Sequence, residues 1–317
     1  MSEKIKIYGV VGPTASGKTA LAIELAKRIG GEIICCDSMQ IYREMNIGTA
    51  KPTDEERAAA PHHMTDFLSP YVAYSCADYV KDAEAVVDDI VSRGRKPIFC
   101  GGTGLYLDRF LRGGNSDEAA CDMDYRASLT EISKEEGGID KLHAMLRELD
   151  PESAEAIHKN NVKRVIRALE IIKATGRKKS EVDLENSAFS DKYESKIIYT
   201  YYQNRDILYG RIERRVDIMV EQGLVEETRR LYEAGVFEKN STAVQAIGYK
   251  ELLPYMEGRD SLENCIERLK TATRKYAKRQ NTWFSQRSYC EKILMDDDSG
   301  AKTFENIVNI LEKYFNN

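Results

Sequence analysis

Residues 12–19 read Gly12-Pro13-Thr14-Ala15-Ser16-Gly17-Lys18-Thr19, and this stretch decides the fold. It matches the pattern GxxxxGK[ST] between an apolar run at residues 5–11, which predicts a buried strand, and a helical pattern at residues 19–29. In that setting the glycines let backbone amides surround phosphate oxygens, Lys18 adds a positive charge, and Thr19 can hold Mg²⁺. We name residues 12–19 the phosphate loop. It predicts a ligand that carries phosphate groups, with Mg²⁺ as cofactor.

Two more apolar runs extend the same strand and helix rhythm. Residues 33–36 and 97–100 predict buried strands, and residues 75–92 predict the helix between them. Asp37 follows the first run directly, and Thr103 follows the second after two glycines. Because the carboxyl ends of parallel strands meet at one edge of a sheet, we expect Asp37 and Thr103 to lie near the phosphate loop.

The strand pattern stops in the middle of the chain. Residues 115–195 contain mainly helical segments separated by glycine and proline, and a strand pattern returns at residues 196–202. We therefore predict an α/β fold of the P-loop NTPase-like kind, a doubly wound parallel sheet with a helical insertion domain. The predicted core domain is 1–114 with 196–317, and the insertion domain is 115–195.

Composition narrows the class of protein. The chain has 317 residues, is 42% hydrophobic, and has a formal net charge of -5. No apolar run is long enough to cross a membrane, and the run at residues 5–11 is too short for a signal peptide, so we expect a cytoplasmic protein with no membrane contact. The seven cysteines show no metal-ligand spacing, which favours reduced thiols. We expect a monomer.

The strand that an acidic residue follows distinguishes between the classes of reaction that such a fold could catalyse. A nucleotide hydrolase would show a magnesium-holding acid after a later strand, but the third predicted strand ends in Gly101-Gly102-Thr103-Gly104. Asp37 is instead placed to take a proton from an acceptor group, although a carboxylate there also suits a turn cap. An ATP-dependent small-molecule kinase remains the chief alternative, because the same loop and acid would serve phosphoryl transfer.

A basic stripe near the C-terminus points to a large anionic partner. Residues 268–287 contain seven Lys or Arg and no Asp or Glu, interleaved with Tyr276, Trp283 and Phe284. Such a stripe suits phosphate contacts and base stacking, and a solvated helix face explains it about as well. Two further basic clusters lie at residues 163–167 and 177–179. An RNA-binding module with an unused loop is disfavoured, since Lys18, Thr19 and Asp37 are all present.

The motifs in order resemble the tRNA dimethylallyltransferase family over nearly the whole chain. The resemblance rests on residues 12–19, 164–170 and 273–283 and on Asp37-Ser38-Met39-Gln40-Ile41-Tyr42-Arg43, Ile47-Gly48-Thr49-Ala50-Lys51-Pro52, His62-His63, Gly101-Gly102-Thr103-Gly104-Leu105-Tyr106 and Ala246-Ile247-Gly248-Tyr249-Lys250-Glu251. It implies transfer of a dimethylallyl group from dimethylallyl diphosphate to the exocyclic amine of the adenosine 3′ of the anticodon, tRNA position 37, releasing diphosphate. The partner would be the anticodon stem-loop of tRNA. No Cys/His set follows the core, which resembles the bacterial branch.

The resemblance also implies roles for single residues. Residues 12–19 would hold the diphosphate, with Mg²⁺ at Thr19, and Asp37 would accept the proton of the amine. Thr103 would lie at the same centre, or would only stabilise a turn. Arg211 and Arg215 would add positive charge, or form a solvated helix face. We interpret His62 and His63 as structural.

The expected tRNA contacts fall in every part of the chain. They are Asp37, Ser38, Met39, Gln40, Thr103, Arg126, Lys163, Arg164, Val165, Ile166, Arg167, Gln245, Ala246, Ile247, Gly248, Tyr249, Lys250, Lys278, Arg279, Gln280, Trp283 and Phe284.

Overall fold

The computed structural model describes residues 4–113, 122–240 and 242–296, together with residues 305, 308, 309, 312 and 313. The chain divides into two compact units. The core unit consists of Met1–Leu111 with Asp191–Asn317, and the insertion unit is Arg112–Ser190. These divisions fall a few residues before the predicted ones at 114 and 195. Among the described helices, none is long and apolar enough to span a membrane.

A single parallel sheet organises the core unit. Within the described residues it has six strands in the order β3-β2-β4-β1-β5-β6, and each pairing there is parallel. The strands are β1 (Ile5–Val11), β2 (Gly31–Cys36), β3 (His62–His63), β4 (Lys96–Gly101), β5 (Tyr193–Tyr201) and β6 (Cys290–Leu294). This confirms the predicted doubly wound α/β fold. The phosphate loop leaves β1, whose neighbours β4 and β5 lie on its two sides, and this switch point is where such sheets bind ligands.

Helices cover both faces of the sheet, as a fully parallel sheet requires. Those of the core unit are α1 (Lys18–Ile29), α2 (Asp54–Ala59), α3 (Cys76–Ser92), α4 (Gly104–Leu111), α10 (Arg205–Glu221), α11 (Leu224–Glu233), α12 (Val236–Lys239), α13 (Leu253–Met256) and α14 (Leu262–Ser285). The insertion unit contains α5 (Met123–Ile132), α6 (Gly138–Leu149), α7 (Pro151–Ala156), α8 (Val162–Thr175) and α9 (Lys179–Glu185). It has its own hydrophobic core, built around Leu142, Leu146 and Leu169.

Two hydrophobic layers flank the sheet because the strand side chains alternate between faces. Phe99 of β4 packs with Val87 of α3 on one face, and Ile98 packs with Leu25 of α1 on the other. A third cluster joins the segment after β2, around Tyr42, to α10, α11 and α14. This cluster brings the residues that follow Asp37 against the C-terminal helices.

A buried glutamate ties the edge of the sheet together. Glu32 on β2 accepts hydrogen bonds from Arg93 at 2.5 and 2.8 Å, and His63 on β3 lies 2.7 Å from the same carboxylate. These partners, with the Arg93 hydrogen bonds the strongest, hold the pKa of Glu32 at about 2 despite the opposing effect of burial. The ionised carboxylate therefore stabilises the folded chain.

We predict that Glu32→Gln destabilises the protein in a pH-dependent way. A carboxyl whose pKa falls from 4.5 to about 2 on folding contributes about 3 kcal/mol above pH 4.5, and that contribution is lost as the pH falls toward 2. Urea unfolding at pH 7, 4 and 3 should show a difference from wild type that shrinks with pH. The exposed Glu233→Gln is the control. A difference of equal size at pH 7 and pH 3 would contradict this account.

Candidate active site

Close approach to β5 shapes the phosphate loop. Ser16 and Thr200 are both buried, and their hydroxyls lie 2.9 Å apart while Thr200 Oγ1 donates to the Val11 carbonyl at 3.2 Å. Gly12 must be glycine, because a Cβ there would lie 2.4 Å from Thr200 Oγ1. Gly17 has φ 85°, a conformation that favours glycine, immediately before α1. Ser16 thus anchors the phosphate loop to β5, and Gly12 permits the close approach.

A glutamine from α14 holds the other side of the loop. Gln280 is 4% exposed, and its Oε1 accepts the Thr14 N–H at 2.9 Å while its Nε2 donates to the Gly102 carbonyl at 3.1 Å. A Cβ on Gly102 would lie 1.9 Å from Nε2, so the contact requires glycine. Gln280 was predicted as a tRNA contact. The structure buries it as a clamp between the phosphate loop and the end of β4, and its contact with tRNA stays a prediction.

Three cations gather at the phosphate loop. Lys18 Nζ donates to the Pro13 carbonyl at 3.2 Å, and Arg211 Nε donates to the Ala15 carbonyl at 2.9 Å. Burial lowers the pKa of Lys18, and the nearby Arg215 lowers it further, while Asp37 opposes both. Burial likewise lowers the pKa of Arg215, with Asp37 again opposing. An anion bound here would relieve the mutual repulsion of these groups.

The start of α1 offers a hydroxyl oxygen that suits Mg²⁺ when the phosphates of a bound ligand hold the same ion. Thr19 lies in the first turn of α1 and lines the cavity beside Lys18. Among the described residues no group of three or more His, Cys, Asp or Glu side chains could hold a metal by itself. Mg²⁺ is commonly held by few protein oxygens together with ligand phosphates and water, and a single threonine hydroxyl fits that mode.

Asp37 and Thr103 lie together at the ends of β2 and β4. Asp37 Oδ1 accepts the Met39 N–H at 2.9 Å, and Thr103 Oγ1 accepts the Ser38 N–H at 3.1 Å. Tyr276 of α14 is close to both: burial raises the pKa of its hydroxyl, Asp37 adds to the rise, and a hydrogen bond with Thr103 opposes it. Within the described residues no hydrogen bond is found for Asp37 Oδ2. Both residues therefore fix turns, and Asp37 also lines an open space beside the phosphate loop.

That space is a cavity of about 360 Å³, which we name the inner cavity. Its lining includes Thr14, Lys18 and Thr19 of the phosphate loop, together with Asp37 and Lys250. Helix α10 supplies one wall through residues at helical spacing: Ile212, Arg215, Val216 and Met219. The inner cavity is thus charged at the phosphate loop and apolar along the remainder of α10.

A buried glutamate that the sequence did not single out holds the cavity's other wall. Glu227 of α11 accepts the N–H groups of Asn46 at 3.2 Å, Ile47 at 2.9 Å and Gly48 at 3.1 Å, and the Tyr249 hydroxyl at 2.6 Å. A Cβ on Gly48 would lie 2.5 Å from the Tyr249 ring. Neighbouring Glu226 is exposed, so only the tertiary structure distinguishes the two acids.

The expected tRNA contacts in the insertion unit include both exposed and buried side chains. Lys163 and Arg164 are exposed at the start of α8, whereas Val165 and Ile166 lie in the core of the unit. The buried pair corrects the prediction, because their side chains have no surface to offer RNA. Arg126 and Arg167 both bind the buried Glu170, Arg126 at 2.6 and 2.8 Å and Arg167 at 3.4 Å. These two arginines are therefore partly neutralised.

The basic stripe at residues 268–287 contains cations that stabilise the fold and others that are exposed. Four of its seven cations pair with acids: Arg268 with Asp260, Lys270 with Asp217, Arg274 with Glu213, and Arg287 with Asp108. Lys278 and Arg279 are exposed. Phe284, predicted to contact tRNA, is 1% exposed in the core, which corrects that prediction. Trp283 packs against Gly104, where a Cβ would lie 2.2 Å from the indole.

The remaining predicted contacts are near the inner cavity. Its lining includes Ser38, Met39, Gln40, Gln245, Ala246, Ile247, Gly248 and Lys250. Gln40 Nε2 donates to the carbonyls of Thr49 and Ala50, both at 3.0 Å, so this side chain braces the wall. Tyr249 is fully buried, and its predicted tRNA contact is likewise corrected.

His62 and His63 have different hydrogen-bond partners and surroundings. His63 pairs with Glu32, which fits the structural interpretation. His62 donates from Nδ1 to the Ala60 carbonyl at 2.8 Å, and its ring lines the inner cavity.

Comparison with known proteins points to one family. The model of the IPP transferase family matches residues 40–287, and that of isopentenyl transferase matches residues 5–61. The tRNA dimethylallyltransferase of Acetivibrio thermocellus is 44% identical over 94% of this chain and 95% of its own length. The crystal structure of a tRNA isopentenylpyrophosphate transferase from Bacillus halodurans has 41% identity and a TM-score of 0.72, covering 99% of this chain and 97% of that one. A eukaryotic dimethylallyltransferase acting on tRNA has 30% identity and a TM-score of 0.81, covering 99% of this chain and 80% of its own.

We predict that Gln280→Met loosens the phosphate loop. The substitution keeps the side-chain length but leaves the Thr14 N–H and the Gly102 carbonyl without their partner, at a cost of ~2–4 kcal/mol in unfolding free energy. Hydrogen exchange of the Thr14 amide should quicken more than that of amides in the centre of α1. Exposed Gln286→Met is the control. Unchanged exchange at Thr14 would show that the clamp does not hold the loop.

Proposed function

We propose that this chain, which belongs to the IPP transferase family, is a tRNA dimethylallyltransferase that works through the inner cavity. It transfers a dimethylallyl group from dimethylallyl diphosphate to the exocyclic amine of adenosine 37 of tRNA and releases diphosphate. The observation that carries this assignment is a single cavity that joins the phosphate loop to Asp37 along an apolar wall. A diphosphate, a short alkyl group and an amine need these three environments.

The phosphate loop receives the leaving group. As the bond between C1 of the prenyl group and its oxygen breaks, the electron pair moves to the diphosphate, whose charge grows. Lys18, Arg215 and the N-terminal amides of α1 are placed to stabilise that charge without first reorganising water. Mg²⁺, when bound through Thr19, would supply further neutralisation of the same oxygens.

Asp37 receives the proton. The amine nitrogen forms its bond to C1 and becomes positively charged, so it must lose a proton to a nearby base. Oδ1 is held by the Met39 N–H, which orients the carboxylate and leaves Oδ2 as the acceptor. Thr103 fixes the adjoining turn through the Ser38 N–H, and it thereby positions Asp37.

The target adenosine must leave the stack of an RNA loop before it can enter the inner cavity. Exposed Lys278 and Arg279 of α14, and Lys163 and Arg164 of α8, are suited to contact phosphates of the tRNA. The solved relative whose description names action on tRNA supports the same substrate here. We further propose a monomer in the cytoplasm, a reducing compartment that fits the six free cysteines among the described residues.

One assay tests the reaction. The protein is incubated with Mg²⁺, unmodified tRNA and either labelled dimethylallyl diphosphate or labelled ATP. We expect label to reach the RNA from the prenyl donor alone. Turnover of ATP without prenyl transfer would favour the kinase alternative and defeat the proposal.

We predict that Asp37→Asn separates proton transfer from turn geometry. The amide oxygen still accepts the Met39 N–H, but the side chain no longer takes a proton, so single-turnover transfer should fall by roughly 10²–10⁴-fold. Calorimetry should show little change in the affinity for dimethylallyl diphosphate. Asp37→Ala, which also removes the turn cap, should be at least as slow. An unchanged single-turnover rate in Asp37→Asn would remove Asp37 as the base.

A further inference from the structure

A second and larger cavity adjoins the inner one at the phosphate loop. This outer cavity has a volume of about 940 Å³ and is lined in part by α2, by Ile47 and by Ile218 of α10. Six residues line both cavities: Lys18, Thr19, Ala50, Pro52, Arg215 and Met219. We name these six residues the shared ring. A ligand held at the phosphate loop therefore borders both spaces at once.

The shared ring has a polar half and an apolar half. Lys18, Thr19 and Arg215 form the polar half, to which the proposed function assigns the diphosphate. The reacting carbon C1 must lie between that diphosphate and the amine near Asp37. The carbons beyond C1 are apolar, and placing them against the cations would desolvate charge without compensation. They belong against the apolar half, formed by Ala50, Pro52 and Met219.

Met219 is the long, flexible member of the apolar half. It follows Arg215 by four residues on α10 and lies on the same helix face, which places a thioether one turn from a guanidinium. Ala50 is short, and its carbonyl is held by Gln40 Nε2 at 3.0 Å. Met219 itself packs as a partly buried side chain at the edge of the cluster that contains Val216. Met219 is therefore the longest apolar side chain that borders both cavities.

We propose that Met219 limits the length of the prenyl donor. The inference rests on the proposed function and adds which donors the site accepts. A five-carbon chain ends at the thioether, whereas a ten-carbon chain must pass the shared ring into the outer cavity, where Ile47 offers apolar surface. The side chain of Met219 blocks that path.

The test compares two donors on three proteins. Wild type, M219A and I218A are assayed with tRNA and either dimethylallyl diphosphate or geranyl diphosphate, a ten-carbon donor. In M219A the ratio of kcat/KM for geranyl over dimethylallyl transfer should rise roughly tenfold or more, because one or two methylenes in an apolar pocket carry that much discrimination. Ile218 lies next to Met219 but lines only the outer cavity and is exposed, so I218A should keep the wild-type ratio within about twofold.

The outcomes separate the two proposals. Absence of dimethylallyl transfer by wild type defeats the proposed function, and the inference with it. Normal wild-type transfer with an unchanged ratio in M219A, or with an equal rise in I218A, overturns the role of Met219 alone. Thermal unfolding checks that M219A is folded. If it is not, M219V opens the shared ring less and should raise the ratio by a smaller factor, and no rise there overturns the inference.

Discussion

The anchoring of the phosphate loop on both of its sides is the constraint on which the site depends. A loop that binds phosphate through backbone amides works only if those amides point inward before the ligand arrives. Ser16 and Thr200 fix the loop to β5, and Gln280 fixes Thr14 to the end of β4. The strand order makes this possible, because β1 lies between β4 and β5. A helix from the end of the chain thus completes a loop at its beginning.

The covering of the sheet by helices on both faces explains why much of the fold was predictable from the sequence. The strands β1, β2 and β4 are continuous apolar runs because both faces of the sheet are covered, and such runs stand out in a sequence. The strands β3 and β6 were missed: β3 is two histidines long, and β6 lies at an edge with largely exposed side chains. Nothing in their composition distinguishes them from loops. Their pairing is decided by the neighbours β2 and β5.

Site residues were predictable where their position follows from a local sequence pattern. They were unpredictable where their role depends on tertiary packing. Asp37 and Thr103 followed from the ends of strands. Glu227 did not, because an acid that caps the backbone of residues 46–48 looks like any surface glutamate in a helix. Gln280 was predicted as part of a basic segment that suggested RNA contact, and its hydrogen bonds to the phosphate loop and β4 could not be read from that segment. A motif marks a residue as constrained, but only the structure shows whether a ligand or the protein imposes the constraint.

Helix α14 carries both kinds of constraint along one element. Its buried face clamps the phosphate loop through Gln280 and sets Tyr276 beside Asp37, while Lys278 and Arg279 lie exposed between those positions. The ion pairs of Lys270 with Asp217 and of Arg274 with Glu213 join α14 to α10. Since residues 276–280 span little more than one helical turn, the surface suited to RNA and the groups that prepare the donor and the base share a rigid segment. The helix itself therefore ties the geometry of the proposed acceptor site to that of the proposed donor site.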